Sequence, residues 1–296
     1  MADTDWPPVT AAGEIALSVV VPVFNEVDNV PHLASELLPA VDSPLVEVIL
    51  VDDGSTDGTV EAAREARGFR VISIPRAGKT EAMRRGIEAA RGEWILTLDG
   101  DLQEDPAEIR KFWSERDDLD ALVGVRSRRC DSMLAKRVPS HAFNVAVRLL
   151  FGVELRDINC GFRLIRRSSL SNFDWFRGAH RFLPLMLALR GARVRQRPVV
   201  HRARRAGVAK FNSLLRGPEA ARGILHLLRE PRRPRSEGTP ERGYPRSRAA
   251  LFLALYVYYP FLRSWLPPPL ILILAGFIHA WQRRRNLRRR GPLRRQ

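Results

Sequence analysis

Four acids stand within seven positions of LTLDGDLQEDP (residues 96–106): Asp99, Asp101, Glu104 and Asp105. Carboxylates this close repel one another, so the stretch calls for a cation. Asp99 and Asp101, one residue apart at the end of an apolar run, can both point at a hard divalent ion. Mg²⁺ or Mn²⁺ takes oxygen ligands and often shares them with substrate phosphates. Gly100 lets the backbone turn between them, and Gln103 can add a neutral oxygen. A metal held there would act as a Lewis acid on a leaving diphosphate. Asp105 reads differently: before Pro106 it suits a helix N-cap, with proline at the first helical position. VDDGSTDGT (51–59) is a second acidic loop. Asp52 and Asp53 are placed there for a ligand, since an Asp at a strand end can accept from a base N–H or a ribose hydroxyl. Asp57 reads as a cap for the helix that follows.

The elements that must position these acids are legible as alternation. EIALSVVVPVFNE (14–26), VEVILVDD (46–53), FRVISI (69–74), EWILTL (93–98) and DALVGV (120–125) are short apolar runs closed by loop residues, the pattern of buried strands. DNVPHLASELLPAV (28–41) and KTEAMRRGIEAARG (79–92) have helical spacing. Strands alternating with helices predict an α/β fold with a doubly wound, mostly parallel sheet. Ligands of such sheets bind beyond the carboxyl ends of the strands. FNE, DDGSTD and DGDLQ sit at those ends, so three acidic loops should share one rim. Beyond residue 130 the pattern becomes more helical, through LAKRVPSHAFNVAVRLLFG and DINCGFRLIRRSSL. HRFLPLMLALRG reads as a short helix, ARVRQRPVVHRARRAGVAKFN as a basic strand and loop, and GPEAARGILHLLRE as a helix.

Charge divides the chain. Of its 296 residues, 1–120 carry 25 Asp/Glu against 11 Lys/Arg, whereas 121–296 carry 8 against 38, for a net charge of +16. A basic rear half suits phosphorylated substrates or anionic lipid. Nucleic acid is not expected, because no RNP-like aromatic pair, zinc-finger spacing or recognition helix is present. Two cysteines, Cys130 and Cys160, make neither a disulfide framework nor a metal cluster and read as reduced thiols. The opening MADTDWPP is unlike a secretory signal. Residues 15–230 are expected to form the catalytic domain and the Pro/Arg-rich 231–248 a linker. In 249–281 an apolar run of 14 residues, 249–262, would reach about 21 Å as helix against a hydrocarbon core of about 30 Å. Pro267–Pro269 interrupt it, and basic flanks on both sides favour the cytoplasmic face. A hydrophobic membrane-anchoring hairpin is the expectation, ahead of a single span or a helical hairpin packed on the domain. The tail 282–296 should meet anionic headgroups.

VVVPVFNE, VDDGSTDGT, AGKTEAMRRG and DGDLQEDP, in this order and spacing, resemble family 2 glycosyltransferases of GT-A fold, over roughly residues 15–215. GVRSRRCDS, DINCGFRLI, HRFLP and ARRAGVAKF resemble the polyprenyl-phosphate branch, which includes dolichol-phosphate mannose synthase. That resemblance implies an inverting transfer of one sugar from a UDP- or GDP-hexose to a membrane polyprenyl phosphate. It implies nucleotide contacts at Pro22, Asn25, Glu26, Asp52 and Asp53, with Lys79 near the donor. Asp99, Asp101 and Gln103 would hold Mg²⁺ or Mn²⁺. Arg126, Arg129, Lys136 and Ser140 would meet the acceptor phosphate, and Arg204 and Lys210 the phosphates from a loop in which Ala209 and Phe211 replace the usual Ser and Tyr. The QxxRW motif of processive synthases is absent, which argues for single transfer. A lipid phosphate, with a second pKa of about 6, is already an anionic nucleophile at neutral pH. The reaction therefore needs no general base, and His180 reads as an orienting or core histidine. Transfer to a glycan or protein hydroxyl, or donor binding without turnover, are the alternative readings.

Overall fold

Leu17–Val23 form β1, and all seven of its residues are buried. A strand covered on both faces needs apolar side chains at odd and even positions alike, which is why LSVVVPV does not alternate. The computed structural model describes residues 6, 14–126, 147–148, 151–203 and 216–229. In it β2 (Val46–Asp53) and β4 (Trp94–Thr97) flank β1, both parallel to it, and β3 (Phe69–Ile74) lies parallel beyond β2. β5 (Ala121–Arg126), β6 (Arg163–Arg166) and β7 (Val194–Val199) complete a seven-stranded sheet of order β3-β2-β1-β4-β6-β5-β7. β6 alone runs against the rest, wedged between β4 and β5. It departs from the helical reading of DINCGFRLIRRSSL: four residues are too few to show a period, and both neighbouring strands were needed to place them.

The helices are α1 (Val30–Ala40), α2 (Thr59–Glu65), α3 (Lys79–Ala89), α4 (Glu108–Ser114), α5 (Ala179–Leu189) and α6 (Arg216–Arg229). On one face Leu33 and Leu37 of α1, Ala63 of α2 and Phe112 of α4 share a core with Leu17, Val19, Val21, Leu50 and Leu96. Burying a leucine of this kind is worth about 1.5–3 kcal/mol. α3 covers the opposite face, against β1 and β2. It approaches so closely that a Cβ on Gly86 would lie 2.4 Å from Val20 Cγ1 and 2.9 Å from Val51 Cγ2. α5 packs on α3 and β5, and α6 on α5.

The chain winds outward from β1 through β2 to β3, then crosses back by α3 to β4 on the other side. Neighbouring connections therefore part between β1 and β4, the place where such sheets leave a crevice at the strand ends. Contacts divide the chain into two units, Met1–Met133 with Val153–Pro240, and Leu134–Gly152 with Glu241–Gln296. The sheet belongs to the first. Nearly all of the second lies outside the described residues, as do the linker 231–248, the apolar segment 249–281 and the tail 282–296. Among the described residues no helix is long and apolar enough to cross a membrane.

Candidate active site

The loops after β1, β2 and β3 are laced to one another. Asn25, at φ 50°, accepts from the Thr56 N–H at 2.9 Å, while its own N–H donates to Ser55 Oγ at 2.8 Å. The Glu26 N–H donates to Thr59 Oγ1 at 2.9 Å. Asp52 is buried at the end of β2 and accepts from the Ser55 N–H at 3.1 Å. Asp53, also buried, takes the Ala77 and Gly78 N–H groups at 2.8 and 2.9 Å and pairs with Arg76. Arg76 in turn stacks over the Phe24 ring, 3.5 Å from its centroid. Asp53 thus fixes the turn that delivers Lys79. Asp57 bonds the Thr59 and Val27 N–H groups at 3.1 and 3.2 Å, one residue ahead of the helix N-cap, which is Gly58.

Lys79 opens α3 and places its Nζ 2.5 Å from Asp99 Oδ1. Burial alone would push the Asp99 carboxyl up, but the charge and hydrogen bond of Lys79, joined by Arg163 and His180, together hold the group below the ordinary carboxylate range. Gly100 lies over the end of β1: a Cβ there would stand 2.7 Å from Val23 Cγ1 and 3.6 Å from the Pro22 carbonyl oxygen. The loop then turns through Leu102 at φ 53°, a conformation that costs a residue with a side chain about 1–2 kcal/mol. The Gln103 N–H donates to Asp101 Oδ1 at 3.3 Å. Asp105 accepts from the Ala107 N–H at 3.0 Å, and α4 begins at Glu108 with Ala107 as its N-cap. Asp105 therefore tightens the turn before the helix rather than capping it, and the helix starts two residues later than the sequence suggested, because Pro106 and Ala107 belong to that turn.

The floor of the site is DINCGF, residues 157–162. Asp157 receives Arg126 by two bonds, Nε at 2.8 Å and Nη2 at 3.0 Å. Arg126 is thus aimed from the end of β5 by a buried carboxylate. Cys160 Sγ lies 3.9 Å from Glu104 Oε1, and burial pushes that thiol up. Burial, together with Asp99 and Asp101, pushes Glu104 up to about 8. Gly161 backs Asp99: a Cβ would meet its Oδ1 at 2.6 Å. Arg163, fully enclosed on β6, donates to the carbonyls of His180 and Ile158 at 2.7 and 3.3 Å. His180 Nδ1 lies 2.7 Å from Thr80 Oγ1, which already accepts the Gly178 N–H at 3.0 Å. Beside the Gly178 bond the hydroxyl keeps a proton and a second lone pair, so it can meet Nδ1 as donor or as acceptor. Burial, with Lys79, Arg181 and Arg163 nearby, holds His180 well below its ordinary pKa, so it is neutral.

The structure thus brings together Pro22, Asn25, Glu26, Asp52, Asp53, Lys79, Asp99, Asp101 and Gln103 on one rim, with Arg126 beside the floor. Arg129, Lys136, Ser140, Arg204 and Lys210 lie outside the described residues. Sequence reasoning missed Asp157, Thr80 and Arg202. Asp157 was visible only as one acid in a motif. Arg202 looked like one charge in a basic run, yet its N–H donates to the Gln103 carbonyl at 2.6 Å and its guanidinium reaches Glu36 and Asp105.

Two carboxylates and an amide oxygen suit a hard dication, and the Lys79 ammonium seated on Asp99 is a built-in measure of that preference for positive charge. Among the described residues no three His, Cys, Asp or Glu side chains make a closed cage. The set fits an ion that completes its coordination with substrate phosphates.

Comparison with known proteins agrees with this geometry. Residues 18–173 match the profile of glycosyl transferase family 2. The chain is 39% identical, over 67% of its length and 62% of the other's, to dodecaprenyl-phosphate galacturonate synthase of Rhizobium johnstonii. It is 32% identical, over 67% and 61%, to undecaprenyl-phosphate 4-deoxy-4-formamido-L-arabinose transferase of Pseudomonas fluorescens. The chain thus spans less than two thirds of these relatives' length. Glucosyl-3-phosphoglycerate synthase of Mycobacterium tuberculosis, solved with Mn²⁺, UDP-glucose and glycerol 3-phosphate, superposes with a TM-score of 0.52 at 25% identity, covering 72% of this chain and 79% of that one. The matched residues make up more than half of the chain, which therefore belongs to glycosyl transferase family 2.

Proposed function

We propose that the protein transfers one sugar from a nucleotide-diphosphate sugar to a polyprenyl phosphate at the cytoplasmic face of a membrane, with Mg²⁺ or Mn²⁺. The observation that carries this reading is the meeting of Lys79 and Asp99 at the crevice between β1 and β4, with Arg126 held by Asp157 beside it. The relatives' names, each a polyprenyl phosphate with a sugar, support the acceptor and put galacturonate among the first donors to try.

Asn25, Glu26, Asp52 and the loops that Asp53 braces would cradle the nucleoside. Asp99, Asp101 and Gln103 would hold the metal, which supplies charge neutralisation at the departing diphosphate. Lys79 adds a point charge on the donor side, and Arg126 a planar guanidinium on the acceptor side. Bringing two anions together is the electrostatic task, and cations fixed in place before the reaction do it without reorganisation. Arg204 and Lys210 would add to them. The lipid phosphate attacks as an anion, so His180 need only stay neutral and hold Thr80 and Arg163 in register.

The test is release of nucleoside diphosphate from UDP- and GDP-sugars, UDP-galacturonate included, with and without polyprenyl phosphate in detergent. Release should require both lipid and metal, and Asp101→Ala should lower it at least 100-fold. Turnover with a hydroxyl acceptor, or donor binding without turnover, overturns the assignment.

A further inference from the structure

We propose that Arg202 is a positioning residue for the candidate metal loop, a role that rests on reading Asp99, Asp101 and Gln103 as metal ligands. The loop has a mechanical problem. Leu102 holds a left-handed φ of 53° between Asp101 and Gln103, and a turn of that kind persists only when its surroundings over-determine it. The Leu102 side chain is fully buried and pins the turn from the core side.

With its neighbour His201 holding Glu104, Arg202 pins it from the other side at Gln103 and Asp105. Its N–H donates to the Gln103 carbonyl at 2.6 Å. The residue before it, His201, makes an antiparallel bridge with Glu104. Its guanidinium pairs with Asp105 through Nη2 and with Glu36 of α1 through Nη1, the latter at 2.8 Å. A planar fork can hold two carboxylates on different elements in one fixed geometry, and an ammonium cannot. The backbone bonds fix where the loop lies, and the fork ties it to α1, which is packed into the core. Arg202 touches neither Asp99 nor Asp101 in this arrangement, so it acts through the loop. Partners that orient a metal's ligands typically change its affinity 10- to 100-fold when removed.

Mn²⁺ binding to the full-length protein, read by the loss of the free-ion electron paramagnetic resonance signal, tests this without turnover. It is run with Mn²⁺ alone and with UDP or GDP added. Arg202→Gln should weaken Mn²⁺ about tenfold or more while the melting temperature stays close to that of the unaltered protein. Arg202→Lys should recover only part of the loss, because it keeps the charge and loses the fork. Glu36→Gln, which cuts one leg and leaves the loop contacts, should weaken Mn²⁺ by about two- to threefold, and it carries the test if Arg202→Gln fails to fold. An Arg202→Gln protein that binds Mn²⁺ within twofold of the unaltered protein overturns the inference. So does full recovery by lysine. If the unaltered protein binds no Mn²⁺ under any condition, the metal-ligand reading falls and this inference falls with it. If it binds Mn²⁺ but moves no sugar to lipid, the proposed function falls and Arg202 can still be judged.

Discussion

At the scale of single residues the site is a balance of opposed charges. Asp99 is held low because Lys79, Arg163 and His180 together offset its burial, and His180 stays neutral because burial and three cations oppose a fourth charge. A buried histidine held well below its ordinary pKa is poor material for a base working near neutral pH. The acid limb of the pH–rate profile should therefore belong to the lipid phosphate. Activity should fall as pH drops through about 6, where the second phosphate proton returns and the nucleophile loses charge. His180→Gln should lower kcat by no more than about tenfold and leave that midpoint in place, since the residue does not titrate in the window. A midpoint that moves or disappears in His180→Gln would identify His180 as the base. Of these residues Asp99 was legible as part of a D-x-D after an apolar strand, supported by a second acidic loop, whereas Lys79 was named only through the family resemblance. The Thr80–His180 bond spans one hundred residues and had no local signal.

At the scale of elements, the parallel half of the sheet was legible and the antiparallel strand was not. β1 to β5 announce themselves as apolar runs closed by turn residues. β6 is four residues with an arginine at each end, and Arg163 is among the largest fully buried side chains of the domain. No pattern rule places such a residue inside. It is there because β6 fills the gap between β4 and β5 and carries Gly161 up to Asp99, with Gly161 accepting from Thr97 Oγ1 at 2.7 Å. The close approach makes Gly161 a sharp probe. Gly161→Ala would put a methyl 2.6 Å from Asp99 Oδ1, and the carboxylate, being the movable partner, should swing away from Lys79. Transfer should fall at least tenfold and need more Mn²⁺, with the melting temperature down by only about 2–4 °C, as for a loss of about 1 kcal/mol. Gly86→Ala makes the contrast. There the added methyl meets Val20 and Val51 under α3, so overpacking should cost about 1–3 kcal/mol of stability without a special demand for metal. A Gly161→Ala protein with full activity would show that Asp99 need not hold its place.

At the scale of the whole molecule, the chain carries its acids ahead of residue 120 and its bases behind, and the proposed reaction needs both. In that reaction the acidic rim would serve the metal and the nucleoside, and the basic rear a phosphate that arrives in a bilayer. Two different forces should then hold the protein at the membrane. The tail 282–296 has eight arginines and no acid. Near an anionic surface each contributes about 1 kcal/mol, and that attraction fades within a Debye length of about 10 Å at 0.1 M salt. The apolar 249–281 stretch would act through burial of hydrocarbon, which salt does not screen. The two separate in a vesicle experiment. The full chain should sediment with vesicles containing anionic lipid at low salt and stay bound in 1 M NaCl, leaving only when detergent is added. Removal of 282–296 should reduce binding to anionic vesicles at low salt and leave the salt-resistant part untouched. Should 1 M NaCl strip the full chain, the apolar segment does not enter the bilayer, and the acceptor lipid would have to be met by a protein held at the surface through charge alone.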